Sequence, residues 1–376
     1  MSDELFRLRA QIDAIDGQLL KLLSERAGLA QAVGQLKNGE GIYRAEREAQ
    51  VVRRMRDANP GPLSSDTVER LFREIISACR DLEQPLRVAY LGPQGTFSQA
   101  AVHKHFGHAV GDLPCTTIDE AFRSVETGKA DYCVVPVENS TEGAVSRTLD
   151  LIVGSPLKVG GEVYLPIHQN LLRKLPAPGG KGAGTEVAAS DAAQMPQLKG
   201  ITRVYGHAQS LGQCQNWLNK HLPNAQRVSV ISNSEGARLA AQDADSVALA
   251  GEAAAEIYGL TIIAPRIEDE PNNTTRFLVL SCRDTSPSGK DKTALVLSIR
   301  NRPGALVELL KPFAAAGVSL TKLESRPARQ GNWEYLFFVD CEGHRQDAKV
   351  AAVLAEVSAQ AAMLKVLGSY PSAASS

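Results

Sequence analysis

The stretch "LFRLRAQIDAIDGQLLKLLSERAGLAQAVGQLK", Leu5 to Lys37, carries apolar side chains at Leu5, Leu8, Ile12, Ile15, Leu19 and Leu22, then at Leu29, Val33 and Leu36. Steps of three and four make a heptad seam, and no proline interrupts the chain before Pro60, so the stretch reads as one long helix. Residues 3–37 would extend about 50 Å at 1.5 Å per residue. A lone helix of that length cannot bury its seam, which calls for a paired helix from a second chain. Two shorter helices are expected next. One spans roughly Arg44 to Asp57; the other is capped at Ser65/Asp66 and carries Val68, Phe72, Ile75, Cys79 and Leu82 on one face.

Arg26 interrupts the seam, and an arginine there is costly unless it meets an anion or fixes the pairing. Lys37 points the same way about 16 Å further along, and Arg47 and Glu48 open the next helix. Two readings stand at this point. The cations either build a pocket for a small dicarboxylate, or Arg26 sets helix register and Arg47 lies on a solvated face.

Beyond Leu86 the period changes. Short apolar runs ("RVAYLG", "DYCVVPV", "SVALA") alternate with helical stretches, the pattern of a mostly parallel α/β domain. A Pro/Gly-rich patch at 174–186, "KLPAPGGKGAGTE", reads as a mobile surface loop, and "RDTSPSGKDK", 283–292, as a polar linker. The last segment reads strand, helix, strand, strand, helix, strand. Its first helix is begun by Pro303, and its sheet edges favour dimerisation. The expected domains are therefore 1–86, 87–282 and 293–371, joined by the linker 283–292.

A net charge of −1 gives no reason to expect a nucleic-acid partner, and no apolar run is long enough to span a membrane. The charged start "MSDELFRLRAQ" has no signal-peptide core, and six scattered cysteines without a C-x-x-C pair suggest reduced thiols. A cytoplasmic protein without a structural metal or cofactor is expected. "HKHFGH", His103 to His108, reads as a solvated helix end rather than a metal site, and Cys133 and Cys214 as small core residues.

Three sets of residues point to chemistry. In the first segment, "LRAQIDAIDGQLLKLLSERAGLAQAVGQLK" followed by "YRAEREAQVV" resembles the all-helical class of chorismate mutase over nearly all of residues 5–84. The resemblance implies a three-helix domain in an intertwined dimer, with Arg9, Arg26, Lys37, Arg47, Glu48 and Glu83 as catalytic pocket residues. It also implies substrate-binding positions at Arg44 and Cys79, where relatives can carry aspartate and serine. The reaction is a Claisen rearrangement, which needs no nucleophile, only a dicarboxylate held in a chair and stabilisation of charge on its ether oxygen. Lys37 and Glu83 would donate to that oxygen, and a glutamate donates only when protonated. Arg9 and Arg26 are 17 residues apart, about 25 Å along the axis and roughly 100° out of phase. One small substrate cannot touch both on a straight helix, so Arg9 is expected to serve the pocket of a second copy.

In the second segment, "GPQGTFS", Gly92 to Ser98, follows a strand and opens a helix, where backbone amides can hold an anion. It lacks the G-x-G-x-x-G spacing of a dinucleotide site. "VPVENSTEGAV" supplies Glu138, Asn139, Ser140 and Thr141, "GHAQSLGQC" supplies His207 and Gln213, and "NNTTRF" supplies Thr274, Thr275 and Arg276. Each falls at a strand end, where open α/β sheets bind ligands. Together they resemble the prephenate dehydratase family over 87–282, which implies a two-lobed, binding-protein-like cleft. Thr275 is then catalytic, with Glu138, Asn139, Ser140, Gln213, Thr274 and Arg276 on the substrate. Prephenate loses carbon dioxide and hydroxide and becomes aromatic, so the obstacle is a poor leaving group. A donor on the ring hydroxyl lowers that barrier. Arg276 also has the plainer reading of a partner for a nearby carboxylate. Gly206 stands where relatives can carry a serine before the histidine.

In the third segment, "RPGALVELLKPF" and "LESRP" resemble the regulatory ACT domain of these dehydratases, a ferredoxin-like βαββαβ unit. That implies an L-phenylalanine effector at Gly304, Ala305, Leu306 and Val307 and at Glu324, Ser325, Arg326 and Pro327, where Glu324 compensates the amino group. The whole then reads as a bifunctional mutase and dehydratase with feedback inhibition. It would act on chorismate and prephenate as a homodimer or larger assembly, with no membrane partner. Two rivals are a dehydratase with an inactive dimerising first segment, and a non-catalytic amino-acid sensor.

Overall fold

The computed structural model describes residues 2–36, 43–175, 196–300, 302–327 and 335–373. Lys37 and most of the Pro/Gly-rich patch lie outside the described residues. The first segment is three helices, α1 (Ser2–Leu36), α2 (Ala45–Asp57) and α3 (Ser65–Asp81). Leu8, Ile12, Ile15 and Leu19 on α1 remain 47, 56, 54 and 51 % exposed. One chain therefore leaves the seam without cover, as its length requires. α1 does meet α3 near its C-terminal end, where Gly34 lies against Glu83. The cap of α3 is Ser64, one residue before the expected pair; its Oγ accepts from the Thr67 amide at 3.1 Å. Leu82, expected on the buried face, sits at the C-cap and is exposed, and Ile76 is buried instead.

The second segment contains β1 (Arg87–Leu91), α4 (Phe97–Phe106), β2 (Gly111–Cys115), α5 (Ile118–Glu126), β3 (Tyr132–Asn139), β4 (Gly143–Ala144), α6 (Ser146–Gly154) and β5 (Lys158–Pro166). The chain then crosses to β6 (Asn170–Arg173), β7 (Arg203–His207), α7 (Ala208–Gln213), α8 (Gln215–His221), β8 (Gln226–Val230), α9 (Asn233–Ala240), β9 (Ser246–Ala250), α10 (Glu252–Tyr258) and β10 (Thr261–Ala264). It returns as β11 (Thr274–Ser281). Two sheets result, ordered β2-β1-β3-β11-β5 (with β4 beside β3) and β10-β6-β9-β7-β8. The expected mostly parallel sheet is thus corrected to two mixed ones. The strands that leave and re-enter the first sheet, β5 and β11, run antiparallel to each other, as do β6 and its neighbours β9 and β10. Apolar runs supply the cores: Val88, Tyr90, Val134 and Val279 are fully buried in the first sheet, and Val247 and Leu249 in the second.

The third segment is β12 (Asp291–Ile299), α11 (Ala305–Ala315), β13 (Leu320–Pro327), β14 (Tyr335–Glu342), α12 (Ala348–Gln360) and β15 (Met363–Pro371). Its sheet is ordered β13-β14-β12-β15, with every pair antiparallel. The linker is shorter than expected, because Asp291 already belongs to β12 and its Oδ2 accepts from the amides of Ser288 and Gly289. The helix expected to begin at Pro303 begins at Ala305. Gly304 adopts φ 79° just before it, a left-handed turn that glycine takes without strain. Of the two outer strands, β13 and β15, the second is covered. β15 lies against β5, so closely that a side chain at Gly368 would come within 2.2 Å of the Val159 carbonyl oxygen. Among the described residues no helix is long and apolar enough to cross a membrane.

Candidate active sites and effector site

The end of β3 and the start of β11 are neighbours, with Asn139 opposite Thr275. The Asn139 carboxamide has a defined orientation. Its Oδ1 accepts from the Thr141 amide (3.0 Å), the Thr141 hydroxyl (2.7 Å) and the Glu142 amide (3.1 Å). Both its N–H groups are then committed, one to Asn273 Oδ1 at 2.7 Å and one to Thr275 Oγ1 at 2.8 Å. Gln213, at the end of α7 in the second lobe, closes the circuit. It accepts from Asn273 Nδ2 at 3.2 Å and donates to Thr141 Oγ1 at 3.4 Å. A hydroxyl has one proton and two lone pairs. The Thr275 oxygen accepts from Asn139, so its proton is left to be donated to something else. Thr275 is 8 % exposed, so an acceptor that reaches it meets a largely desolvated donor.

Asn273, 3 % exposed, was not singled out in the sequence, although it lies within the motif that flags Thr275. Ser140 has a structural task. Its Oγ accepts from the Thr274 amide at 2.9 Å and donates to the Asn272 carbonyl at 3.3 Å, stapling the two strand ends together. Thr274 takes part through that amide.

Arg276 needs correction. It is 6 % exposed and does not face the Thr275 network. Its Nε donates to Glu162 at 3.0 Å, and Nη2 reaches Asp340 at 2.6 Å and the Tyr370 hydroxyl at 2.9 Å. Successive strand residues point to opposite faces, so Thr275 and Arg276 cannot both serve one cleft. Burial works against the guanidinium charge, but Tyr370, Asp340 and Glu162 outweigh it and raise its pKa. The plainer reading, a carboxylate partner, is what the geometry gives, and two of the partners belong to the third segment. Glu138 is likewise turned toward that segment, with its Oε2 on Lys322 Nζ at 2.8 Å.

The "GPQGTFS" turn is also corrected as an anion site. Gly92 N donates to the Cys115 carbonyl, and Gly95 N to Gln99 Oε1 at 2.6 Å. Gln99 N donates to the Thr96 cap at 3.4 Å. Those three amides are spent internally, on β2, on the Gln99 side chain and on the Thr96 cap respectively. His207 is exposed and caps α7. A side chain at Gly206 would meet Leu211 and Leu249 at 3.3 Å, so the glycine is in tight packing. Cys133 and Cys214 are buried, and burial pushes both thiols up, which suits core residues rather than nucleophiles.

In the helical segment a single chain brings some of the sequence-predicted residues near one another. Arg26 is half-buried and acts on Glu48, Cys79 is buried on α3, and Glu83 packs on Gly34 with its Oε2 buried and, among the described residues, without a hydrogen-bond partner. Arg9 and Arg47 are exposed. Arg44, at the N-cap of α2, lines a cavity of about 230 Å³ with Tyr43, Arg283 and Thr285. The sequence reading missed Arg80, 4 % exposed, whose Nη1 donates to Glu48 at 2.7 Å. The "HKHFGH" stretch is solvated only in part: Lys104 and His108 are exposed, but His105 is half-buried against Tyr43, 2.8 Å from its hydroxyl, and desolvation lowers its pKa to about 3. His103 and His108 face Asp112 and Glu74, two carboxylates the sequence did not reveal as neighbours.

In the third segment β13 alternates. Lys322, Glu324 and Arg326 are partly buried, whereas Leu323, Ser325 and Pro327 are exposed. Lys322 Nζ lies 2.8 Å from Glu138 and 3.3 Å from Glu324, and Arg326 donates to the Ser146 carbonyl at 2.8 Å. Lys365 donates to the carbonyls of Ile152, Val153 and Ser155. Helix α6, which follows the Asn139–Thr141 hairpin, is thus gripped at both ends. Gly304 and the buried Ala305 begin α11, with Leu306 half-buried and Val307 exposed.

Comparisons with known proteins agree with this three-part layout. Family models match at residues 8–84 (Chorismate mutase type II), 88–285 (Prephenate dehydratase) and 293–359 (ACT domain). The chain is 52 % identical over 367 residues to a bifunctional chorismate mutase/prephenate dehydratase of Neisseria gonorrhoeae, covering 97 % of this chain and 96 % of that protein. It is 47 % identical to a protein of the same description from Pseudomonas aeruginosa, covering 99 % of this chain and 98 % of that one. Among solved structures, a prephenate dehydratase from Arthrobacter aurescens in complex with L-Phe is 34 % identical. It superposes with a TM-score of 0.64 over 76 % of this chain and 90 % of that chain.

Proposed function

The chain belongs to the family of bifunctional chorismate mutase/prephenate dehydratases, and on that premise we propose how its own residues carry the two reactions and their control. It rearranges chorismate to prephenate, then dehydrates and decarboxylates prephenate to phenylpyruvate, under feedback inhibition by L-phenylalanine. The observation that carries the dehydratase assignment is the Asn139–Thr275 hydrogen bond, which leaves the threonine proton for the ring hydroxyl of prephenate. As hydroxide departs, that donor stabilises the growing charge while the carboxylate is lost as carbon dioxide, and aromatisation drives both. Asn139, Asn273 and Gln213 hold the donor, and Gln213 brings the second lobe to it. We read the two sheets as the two lobes of a binding-protein-like cleft, and the third segment, from its strand order, as ferredoxin-like.

For the mutase we assign Arg26, Glu48, Cys79, Glu83 and Lys37 to one pocket, with Arg9 reaching in from a second copy. The half-exposed seam of α1 supports a dimer paired along that helix. A cytoplasmic setting fits the six free cysteines.

For control we assign Lys322 as the link between effector and cleft. L-Phenylalanine at Gly304–Val307 and Glu324 places its ammonium on Glu324, and Lys322 then loses one of its two carboxylates. Its pull on Glu138, next to Asn139, changes in response. With Lys322→Met, prephenate turnover at saturating L-phenylalanine is expected to stay at half or more of the uninhibited rate, because a coupling of about 1–3 kcal/mol runs through that contact. An inhibition curve that superimposes on the wild-type one would exclude this route.

A further inference from the structure

Arg80 is the group that the two reactions leave unexplained. It stands at the end of α3, 4 % exposed, and two of its nitrogens face in different directions. Nη1 donates to Glu48 Oε1 at 2.7 Å, within the helical segment. Nη2 donates to the Phe106 carbonyl at 2.6 Å, at the last residue of α4 in the dehydratase segment. The last carbonyls of a helix have no partner within it and attract cations, so the α4 terminus is a natural anchor for a guanidinium. The plane is confined as well, with its central carbon 5.2 Å from the Tyr43 ring centroid and 5.8 Å from that of Phe106.

The surrounding contacts fix the distance between the two segments. Tyr43 packs with Phe106 and Tyr132 inside the dehydratase core. Ser77 Oγ accepts from the Ala109 amide at 3.2 Å, and Gly107 approaches Ser77 so closely that a side chain there would come within 2.5 Å of it. A simple brace needs no such residue. Among the described residues Arg80 Nε is buried without a hydrogen-bond partner, and a guanidinium kept there at that cost calls for a use.

We propose that Arg80 is a positioning residue of the mutase, held by the Phe106 carbonyl so that Glu48 is presented to chorismate as a carboxylate in one fixed orientation. The inference rests on Glu48 being a pocket residue. Its consequence is that docking of the dehydratase domain tunes a mutase site whose pocket residues all come from the helical segment.

A pH profile separates positioning from bracing. Glu48 is half-buried, its desolvation raises its pKa, and Arg80 is the largest opposing influence. The other groups that face it are Arg73 on α3, Arg26 on α1, Tyr43 before α2 and Tyr132 on β3. Without the Arg80 charge, burial favours the protonated acid, a weaker acceptor for the substrate hydroxyl than the carboxylate. Mutase activity is then lost as pH falls, from a higher pH than in wild type.

The experiment uses the full chain as wild type, Arg80→Met, Arg80→Lys and Glu48→Gln. Mutase kcat and KM are followed against pH, with prephenate turnover as the measure of a folded chain. Arg80→Met is expected to lower mutase kcat/KM by about tenfold or more near neutrality and to move the acid limb upward. Arg80→Lys, which restores charge but cannot span both partners, is expected to return the acid limb toward wild type with kcat/KM still reduced. Three results would overturn the proposal. If Glu48→Gln leaves the mutase intact, Glu48 is not a pocket residue. If Glu48→Gln impairs it but Arg80→Met keeps the wild-type rate and profile, Arg80 positions nothing. If Arg80→Met loses both reactions together, the arginine only holds the fold.

Discussion

Thr275→Ala is expected to lower kcat for phenylpyruvate formation from prephenate by about 10²–10³-fold, the usual cost of removing one preorganised donor from a buried site. The size of the effect follows from the hydrogen-bond accounting around Asn139. That side chain points both N–H groups at acceptors because three donors already hold its carbonyl oxygen. Thr275 accepts one of them, which leaves its own proton to be donated, in our proposal to the substrate hydroxyl. Removing the hydroxyl therefore takes away the donor and also leaves an Asn139 N–H without its partner. Two further variants distinguish these effects. Thr275→Ser keeps the hydroxyl and is expected to retain most of the rate, whereas Thr275→Val keeps the shape and loses the donor. Chorismate rearrangement by the same chain reports folding and should stay within about twofold of wild type. A valine variant that turns over prephenate at close to the wild-type rate would remove Thr275 from the chemistry.

Arg276→Met is expected to cost stability rather than to remove a substrate contact. The side chain sits among Glu162, Asp340 and Tyr370, all largely withdrawn from water, and it joins β11 of the dehydratase to β14 and β15 of the third domain. Removing one partner of a buried ion pair costs about 3–5 kcal/mol, since the remaining charge is left uncompensated. Lys292, 2.8 Å from Glu162, offsets part of that loss. For domains of this size, the melting temperature should fall on the order of 10 °C. Adding Asp340→Asn to Arg276→Met removes one stranded carboxylate and is expected to recover part of the loss. A melting temperature unchanged by Arg276→Met, with KM for prephenate sharply raised, would return the arginine to the cleft.

The parts of the molecule that were legible in the sequence are those written in local patterns. The heptad seam of α1 survives because its period is a property of consecutive residues. Its leucines and isoleucines stay about half exposed in one chain, the exposure on which the proposed dimer rests. The change to short apolar runs marked the α/β segment, and the strand-helix order of the last segment was read from its runs as well. Antiparallel returns such as β11 carry no local mark, so the sheets were expected to be more parallel than they are.

The candidate sites divide in the same way. Asn139, Gln213 and Thr275 were named from motifs, and Asn273 lay unremarked between them. Arg276 is adjacent to Thr275 in sequence and was grouped with it, but strand geometry turns it away. Its real partners, Glu162, Asp340 and Tyr370, are far off in the chain. Arg80 is the extreme case. On a helical wheel it looks like any solvated arginine, and only the docking of α4 against α3 buries it. Lys322 was similarly silent, since a lysine on a strand shows nothing of the two carboxylates from different domains that it joins.

The most direct test starts from chorismate alone. The purified full chain is incubated with chorismate, and chorismate, prephenate and phenylpyruvate are quantified over time with and without L-phenylalanine. Two active sites and a coupled sensor in one chain predict that prephenate rises and is consumed, phenylpyruvate accumulates, and L-phenylalanine suppresses the second step. Chorismate left untouched while added prephenate is still converted would contradict an active mutase. Prephenate that accumulates without phenylpyruvate would contradict the dehydratase.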